Sequence, residues 1–407
     1  MKARAIPRCF APVVLAAAFG LTSRSAQASG FLVYDLSGEA IGKASAVSAD
    51  TREPAANWFN PAALAYLDGT NVAAGAVLIS ARSHFTAKAD GAETSSERGT
   101  FVLPTLYAQT KLGEQFAVGL GVYSAFGIGI TWPNEWLGRE NAISASLQTL
   151  SFNPNVAFRA DEHWSFGVGF DAVRSTVDFR NGLPSIVGGN VRLAGGAWGY
   201  GFNAAALFRA IPEKLSFALT YRSRVKLEYD GRADFQPGNP DFARTLADQS
   251  GHAAITLPDI ITAGVTGRPT RALSLSFDVN TVLWSTYEHI PIDFATAPDK
   301  TLNPQGHTSV TLRGGVDVAL PAGFHARGGL IYDRGAIPSQ GVGPALPDSD
   351  RIDVTAGLGY ESGPIKADLG YMLVLFLPVD ATGGTESPEG TYSTHAELLG
   401  LTLGAHF

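Results

Sequence analysis

The feature that most constrains this chain is a two-residue alternation of apolar and polar side chains over long stretches. In the last stretch, Leu399, Leu401 and Leu403 share one face, and Gly400 and Thr402 lie on the other. This period is typical of a β-strand with one face against an apolar environment. The stretches run for about 10 to 16 residues, whereas strands in globular proteins usually have about 5 or 6. The pattern therefore predicts a sheet of long strands.

The alternation and the turn residues between stretches predict fourteen strands, and the connectors between them alternate between short turns and long loops. The predicted spans are 70–88, 100–112, 115–126, 143–160, 163–180, 195–210, 214–232, 253–268, 271–292, 306–320, 323–334, 350–362, 364–377 and 393–407. An even number of strands with this loop pattern is typical of an all-β, antiparallel, transmembrane β-barrel of the bacterial outer membrane. Both ends of the barrel would then lie on the periplasmic side.

Composition excludes the main alternatives. Hydrophobic residues make up 45% of the chain and charged residues only 16%. Beyond the N-terminal region no stretch has the roughly 18 consecutive apolar residues of a membrane-spanning helix, which excludes a helical bundle. In lipid every backbone N–H and C=O must be paired, so spanning strands must close into a barrel. A large soluble β-sandwich or β-solenoid is the alternative, and the strand lengths argue against it.

Residues 1–28 resemble a secretory signal peptide. A basic start is followed by a short apolar run and by the small-x-small cleavage site Ala26, Gln27 and Ala28. An N-terminal membrane anchor is the alternative. Cys9 is the only cysteine, so the exported chain is expected to carry no disulfide or thiol chemistry. The net charge of −7 becomes more negative once the basic start is removed, and such an acidic protein is not expected to bind nucleic acid.

Residues 29–69, which we call the hatch, do not alternate and are rich in small residues. Eight-stranded barrels are filled by side chains and those of sixteen or more leave a channel, so fourteen strands need a filling element. The hatch precedes the first strand and is predicted to fold inside the lumen, with a disordered periplasmic tail as the alternative. The predicted organisation is a signal peptide (1–28), the hatch (29–69) and the barrel (70–407).

Several motifs, in order, resemble those of the FadL family of outer-membrane transporters for long-chain fatty acids and other hydrophobic compounds, which includes the TodX branch. They are Ser29-Gly30-Phe31, Trp58-Phe59-Asn60-Pro61-Ala62, Ser124-Ala125-Phe126-Gly127, Trp136-Leu137-Gly138-Arg139 and Leu346-Pro347-Asp348-Ser349-Asp350-Arg351. The family usually has glycine where Ala63 stands, and often proline where Ala125 stands.

The resemblance implies uptake of a hydrophobic molecule that binds inside the barrel, moves the hatch and leaves sideways into the membrane through an inward kink of the third strand. It assigns the gate to Ser29, Gly30, Phe31, Asn60, Pro61 and Ala62. Glycines make the third strand easy to bend, and the expected kink region contains Gly119, Gly121, Phe126 and Gly127. The Asn60 amide is expected to pair with exposed strand backbone, and a loop turn packed on the barrel wall is the alternative to a gate role.

The alternation also predicts a ligand pocket. Apolar side chains that face the lumen near the external ends of strands would suit a hydrophobic ligand; they are Val282, Trp284, Met372, Val374 and Phe376. Packing against the hatch is the alternative role, and both can hold. Three basic residues predicted to face inward together, Arg222, Arg224 and Lys226, could bind a carboxylate. Ion pairs with inward acids such as Asp171 are the alternative.

No enzyme motif is present, and the eight histidines lack metal-ligand spacing, so neither a catalytic site, a metal nor a cofactor is predicted. A passive porin or an adhesin barrel stays as an alternative function, and an outer-membrane lipid hydrolase as a more remote one. The expected partners are the hydrophobic ligand, outer-membrane lipid and lipopolysaccharide, and the barrel assembly machinery, which would recognise the last strand ending in Phe407. The resemblance suggests a monomer.

Overall fold

The computed structural model describes residues 30–50, 52–383 and 386–407. The predicted signal peptide and the gate residue Ser29 lie outside these ranges. Among the described residues, no helix has both the length and the apolar character needed to cross a membrane.

The described chain forms a closed antiparallel barrel of 14 strands, which confirms the predicted fold. Several barrel strands consist of two consecutive segments. In order, barrel strands 1 to 14 are Thr70–Ala87, Gly99–Leu112, Phe116–Tyr123 with Gly127–Thr131, Ser144–Arg159, Trp164–Gly182, Gly189–Ile211, Leu215–Arg222 with Val225–Pro237, Gln249–Leu257 with Asp259–Gly267, Leu273–Leu283 with Ile290–Phe294, Lys300–Leu302 with Ser309–Ala319, Phe324–Asp333, Arg351–Ser362, Ile365–Phe376 with Val379–Ala381, and Gly390–His406; a short segment, Glu93–Ser95, follows strand 1.

The barrel closes where strand 1 pairs with strand 14, from Asn71↔His406 to Ala87↔Gly390. The predicted alternation holds over most strands. Leu401 is 50% exposed on the outer face, and its neighbour Thr402 is buried in the lumen. The outer face is therefore the apolar one, as a lipid environment requires.

The described residues of the hatch are almost entirely buried and pack against the inward faces of the strands. It contains two short helices, Gly38–Gly42 and Ala56–Phe59, and a 3-10 helix, Pro61–Tyr66. The hydroxyl of Ser37 caps the first helix by accepting from the Ala40 amide at 3.0 Å. Among the described residues outside the hatch, three other 3-10 turns occur, at Pro240–Phe242, Trp284–Tyr287 and Pro321–Gly323.

Glycine on the lumen face shapes the seat of the hatch. A Cβ atom on Gly167 would lie 2.5 Å from the amide nitrogen of Ala62, and one on Gly370 would lie 2.4 Å from the carbonyl oxygen of Gly38. Because no larger residue fits at these distances without a backbone shift, the hatch backbone can lie directly against the wall.

Strand 7 departs from the predicted faces. The strand is interrupted after Arg222, and the alternation changes sides there. Val225, Leu227 and Tyr229 are buried in the lumen, although the inward direction predicted for Arg224 and Lys226 would place them on the lipid face. The interruption shifts the phase of the alternation by one residue, and a shift of one residue exchanges the two faces of a strand.

Candidate functional site

A cavity of about 640 Å³ lies between the start of the hatch and the half of the barrel that bears the long loops. Apolar side chains from the hatch and from strands 2, 3, 13 and 14 form most of its wall, including Phe31, Leu103, Phe126, Met372, Val374 and Leu398. Polar side chains also contribute to the lining, and its charged members are Asp35, Arg174, Asp348 and Arg351. A mostly apolar concave site with few polar groups is typical of a small-molecule binding site.

The predicted pocket residues divide into two groups. Met372, Val374 and Phe376 line the cavity. Val282 and Trp284 do not line it but are buried in the lumen, and the Trp284 ring lies behind Phe31, with 4.8 Å between ring centroids. The strand 13 residues therefore line the cavity, and two of them, Met372 and Val374, also lie in one buried cluster with Ile41 of the hatch. The strand 9 residues pack behind the hatch start.

Sequence reasoning missed the walls contributed by strands 2 and 14. Phe101 and Leu103 line the cavity from strand 2, and Ala396 and Leu398 from strand 14. In strand 14 the signal was available, because both residues continue the inward positions of the last strand toward its external end.

The start of the hatch forms a hydrogen bond with the buried side chain of Asp348. The Gly30 amide donates to Oδ2 of Asp348 at 3.2 Å, and the Ala336 amide donates to the same oxygen at 2.9 Å. Asp348 lies in the long loop before strand 12, and burial raises its pKa well above the usual range. This loop therefore fixes the position of the hatch at the edge of the cavity.

Gly30 also has a left-handed backbone with φ of 64°, and a Cβ atom there would lie 2.8 Å from the Trp284 ring. We expect Gly30→Ala to detach the start of the hatch, since the backbone term alone costs about 1 to 2 kcal/mol. A cysteine introduced at position 32 becomes accessible when the hatch start detaches. Maleimide should therefore label the Gly30→Ala, Leu32→Cys double variant faster than the Leu32→Cys single variant. Gly314→Ala is the control, since a Cβ there meets nothing within 4 Å. Equal labelling rates for both alanine variants would contradict this expectation.

Strand 3 is broken between Tyr123 and Gly127, and the start of the hatch pairs with the break. The Val33 amide donates to the carbonyl oxygen of Ala125 at 2.8 Å, and the Gly127 amide donates to that of Phe31 at 3.1 Å. Between these bonds, Leu32 and Phe126 form an isolated antiparallel bridge. The hatch start thus forms hydrogen bonds with backbone groups of strand 3 that would otherwise pair with a neighbouring strand.

The break differs in place from the predicted kink region. Phe126 and Gly127 are at the break, but Gly119 and Gly121 lie below it in a continuous ladder with strands 2 and 4. Their missing side chains make room for the hatch, because a Cβ on Gly119 would lie 2.3 Å from Oδ1 of Asn57. These two glycines accommodate the hatch rather than bend the strand.

A gap in the wall follows from the break. The ladder between strands 2 and 3 ends at Leu106↔Val122, and the strands meet again where the Glu97 amide donates to the Thr131 carbonyl at 2.8 Å. Between these points the described residues form no ladder pair across the two strands. The Phe101 ring lies over Gly129 in the gap, and the cavity wall includes residues from both edges.

The hydrogen-bond partner predicted for the Asn60 amide is wrong. Its Nδ2 donates to the Ser48 carbonyl at 2.6 Å, and its Oδ1 accepts from the Ala62 amide at 3.0 Å, so both bonds stay within the hatch. Asn57 is the residue that bonds to a strand backbone, donating to the Ala108 carbonyl at 3.3 Å. Pro61 and Ala62 lie against Gly167 of strand 5.

The three basic residues proposed for a carboxylate do not meet. Arg222 faces the lumen, where it pairs with Asp171 at 2.5 Å and stacks over Trp58 at 4.3 Å. The side chains of Arg224 and Lys226 are 61% and 63% exposed, because strand 7 changes faces after Arg222. A shared carboxylate site at these residues is therefore wrong.

A buried ion cluster holds the base of the hatch. Arg327 pairs with Asp317 at 3.0 Å, with Asp368 at 2.6 Å and with Glu39 of the hatch at 3.8 Å. Lys43 of the hatch pairs with Glu39 at 2.6 Å. Burial opposes ionisation of Glu39, but the surrounding cations hold its pKa well below the usual range. The cluster connects the hatch to strands 10, 11 and 13.

Three carboxylates of this region, from Glu39, Glu53 and Asp368, lie within 4.8 Å of one another. Lys366 forms ion pairs with both Glu39 and Asp368. Burial, together with the charge of Glu39, raises the pKa of Glu53 to about 8, and Ser37 donates to its Oε1 at 2.9 Å. The arrangement is that of an internal ion-pair network.

The chain resembles known outer-membrane proteins over most of its length. The model of a family described as "Outer membrane protein transport protein (OMPP1/FadL/TodX)" matches residues 19–407. The chain is 24% identical to the long-chain fatty acid transport protein of Escherichia coli K12, over 98% of each chain. It is 25% identical to outer membrane protein P1 of Haemophilus influenzae Rd, over 97% of this chain and 98% of that protein.

Two solved structures share the fold. A FadL homologue from Pseudomonas aeruginosa has a TM-score of 0.85 at 18% identity, covering 93% of this chain and 100% of its own. The toluene transporter TbuX of Ralstonia pickettii has a TM-score of 0.72 at 16% identity, covering 91% of this chain and 98% of its own.

Proposed function

The chain belongs to the outer membrane transport protein family that includes OMPP1, FadL and TodX, and on this premise we propose that it binds hydrophobic molecules in the lumenal cavity and releases them sideways into the membrane. The members of this family are transporters of the Gram-negative outer membrane. The finer steps proposed are displacement of the hatch start and exit through the gap beside strand 3.

One observation carries the proposal: the cavity wall is formed by the hatch start and by both edges of the gap. Phe31 and Phe126 lie on the hatch and at the break, and Phe101 lies in the gap itself. A ligand in the cavity therefore touches the element that would have to move and the opening through which it would leave. A polar porin lumen offers no such apolar contact, which favours transport of hydrophobic molecules over passive diffusion of solutes.

Filling the cavity tests ligand binding. Ala396→Trp places an indole in the cavity, and Leu399→Trp places one on the lipid face of the same strand, where Leu399 is 43% exposed. We expect Ala396→Trp to weaken binding of a fluorescent long-chain fatty acid and of toluene by about tenfold or more, because an occupied pocket cannot bury the ligand. Leu399→Trp should bind both probes as the parent does.

Binding is measured on the purified protein in detergent by fluorescence for the fatty acid and by competition for toluene. If neither probe binds the parent, or if Ala396→Trp binds both with unchanged affinity, the lumenal cavity is not the ligand site.

A further inference from the structure

The ladder of the barrel wall is also broken between strands 6 and 7. The ladder from the periplasmic side stops at Asn203↔Arg222 and resumes at Gly196↔Asp230. In the part of the chain that the structure describes, the residues between these pairs have no ladder partner across the two strands. Strands 7 and 8 keep the same register above and below this level, so both move away from strand 6 together.

Side chains replace the ladder at this break. The Phe202 amide donates to Oγ of Ser223 at 2.9 Å, and the Ser223 amide donates to the Phe202 carbonyl at 2.8 Å. Farther along, Arg174 of strand 5 donates to the Ala197 carbonyl at 3.0 Å. In lipid a backbone group must have a partner, and here part of that role falls to side chains, which can rotate away without unfolding a strand.

Two aliphatic side chains close the break from the lumen. A Cβ atom on Gly199 would lie 2.5 Å from Cγ1 of Val225 and 2.9 Å from Cδ2 of Leu227, and one on Gly201 would lie 2.8 Å from Cγ2 of Val225. Strand 7 therefore passes on the lumen side of the two glycines, and its side chains lie under them. The wall is sealed here by packing instead of by a continuous ladder.

The break and the interruption of strand 3 both border the interior next to Trp58 of the hatch. Between them is a void of about 20 Å³, which is lined by Phe126 from the strand 3 break, Val225 from the strand 7 break and Trp58 from the hatch. The void is too small for a ligand while the hatch is seated. On the outer side, the edge of strand 6 presents exposed aromatic residues to lipid: Trp198, Tyr200 and Phe202.

We propose that the break between strands 6 and 7 is a second lateral exit, closed by Val225 and Leu227. Its lining is aliphatic and its outer rim aromatic, so the molecules it would pass are uncharged hydrocarbon chains or rings. The proposal rests on the proposed transport function. It adds an exit four strands along the wall from the gap beside strand 3, and it becomes continuous with the cavity when the hatch start moves.

A reversible lock tests the second exit. Gly201→Cys with Val225→Cys brings two Cβ atoms to the spacing that a disulfide needs. We expect the oxidised protein to take up toluene at least about twofold more slowly than its own reduced form, because one of two exits is closed. The matched control, Leu193→Cys with Ala233→Cys, joins a paired position of the same two strands and should leave uptake unchanged on oxidation.

Uptake is measured in bacterial cells that depend on the protein for toluene entry, with disulfide formation followed by the mobility of the protein on gels. Equal rates for the fully oxidised and the reduced double-cysteine protein would overturn the second exit. Failure of the parent to take up toluene would instead overturn the proposed function, so the two failures are distinguishable.

Trimming the closing side chains gives an independent test that does not depend on the disulfide. We expect Val225→Ala with Leu227→Ala to raise toluene uptake by about twofold or more, since the smaller side chains leave the break open. Uptake at the parent rate, in a barrel that still assembles as a heat-resistant folded form, would count against the exit.

Discussion

A disulfide between the hatch and strand 3 is expected to stop transport until it is reduced. Leu32 and Phe126 are direct partners in an isolated antiparallel bridge, a geometry that a disulfide can join. With Leu32→Cys and Phe126→Cys oxidised, uptake of a fluorescent fatty acid should fall by about tenfold or more, because the gating segment can no longer leave its place. Reduction should restore it.

The physical reason lies in the backbone bonds on both sides of the bridge. Val33 to Ala125 and Gly127 to Phe31 must both break before the hatch start can move, and the disulfide prevents their separation. The Leu32→Cys single variant, treated in the same way, controls for loss of the leucine side chain. The chain has one cysteine, Cys9, in the predicted signal peptide, so no competing disulfide is expected in the exported protein. Full-rate uptake by the oxidised double variant would show that the hatch start need not move.

Removal of Arg327 is expected to unseat the hatch. The guanidinium is 1% exposed and faces three carboxylates, from Asp317, Asp368 and Glu39. Breaking a buried ion pair by removing one partner costs about 3 to 5 kcal/mol, because the remaining charge stays buried without compensation. Arg327→Met should therefore lower the free energy of unfolding and open the lumen to small ions.

Conductance in planar bilayers and urea unfolding measure the two effects of Arg327→Met. Arg192→Met is the matched control, because Arg192 pairs with Asp178 on the outer surface, where the two side chains are 54% and 43% exposed. An exposed pair of this kind contributes about 1 kcal/mol or less. If Arg327→Met is as stable and as closed as Arg192→Met, the buried ion cluster does not seat the hatch.

The outward faces of most strands could be predicted because alternation is a local property. A residue and its second neighbour share a face wherever the strand is continuous, so the lipid-facing positions of strand 14 follow from the sequence alone. Strand 7 shows the limit. Its faces exchange after Arg222 because the strand departs from strand 6 there, and that departure depends on a neighbour about 20 residues earlier in the chain.

The contacts of the hatch could not be predicted at residue level. Asn57 and Asn60 are three positions apart and chemically identical, yet only Asn57 bonds to a strand backbone, while Asn60 bonds within the hatch. Gly119 and Gly121 suggested a bend and instead make room for Asn57. Each of these outcomes depends on which part of the barrel wall the hatch contacts, and residue spacing in the sequence does not specify those contacts.

The sequence by itself determined the fold class, the strand number and the apolar outer face, because a long strand in lipid must alternate and every backbone group must be paired. It also predicted apolar residues that face the lumen near the external ends of strands 9 and 13. Only the tertiary structure decided which of them line the cavity, where the ladder breaks and which basic side chains face the lumen. Those properties arise from contacts between strands and hatch residues far apart in the chain, and a period of two residues carries no information about them.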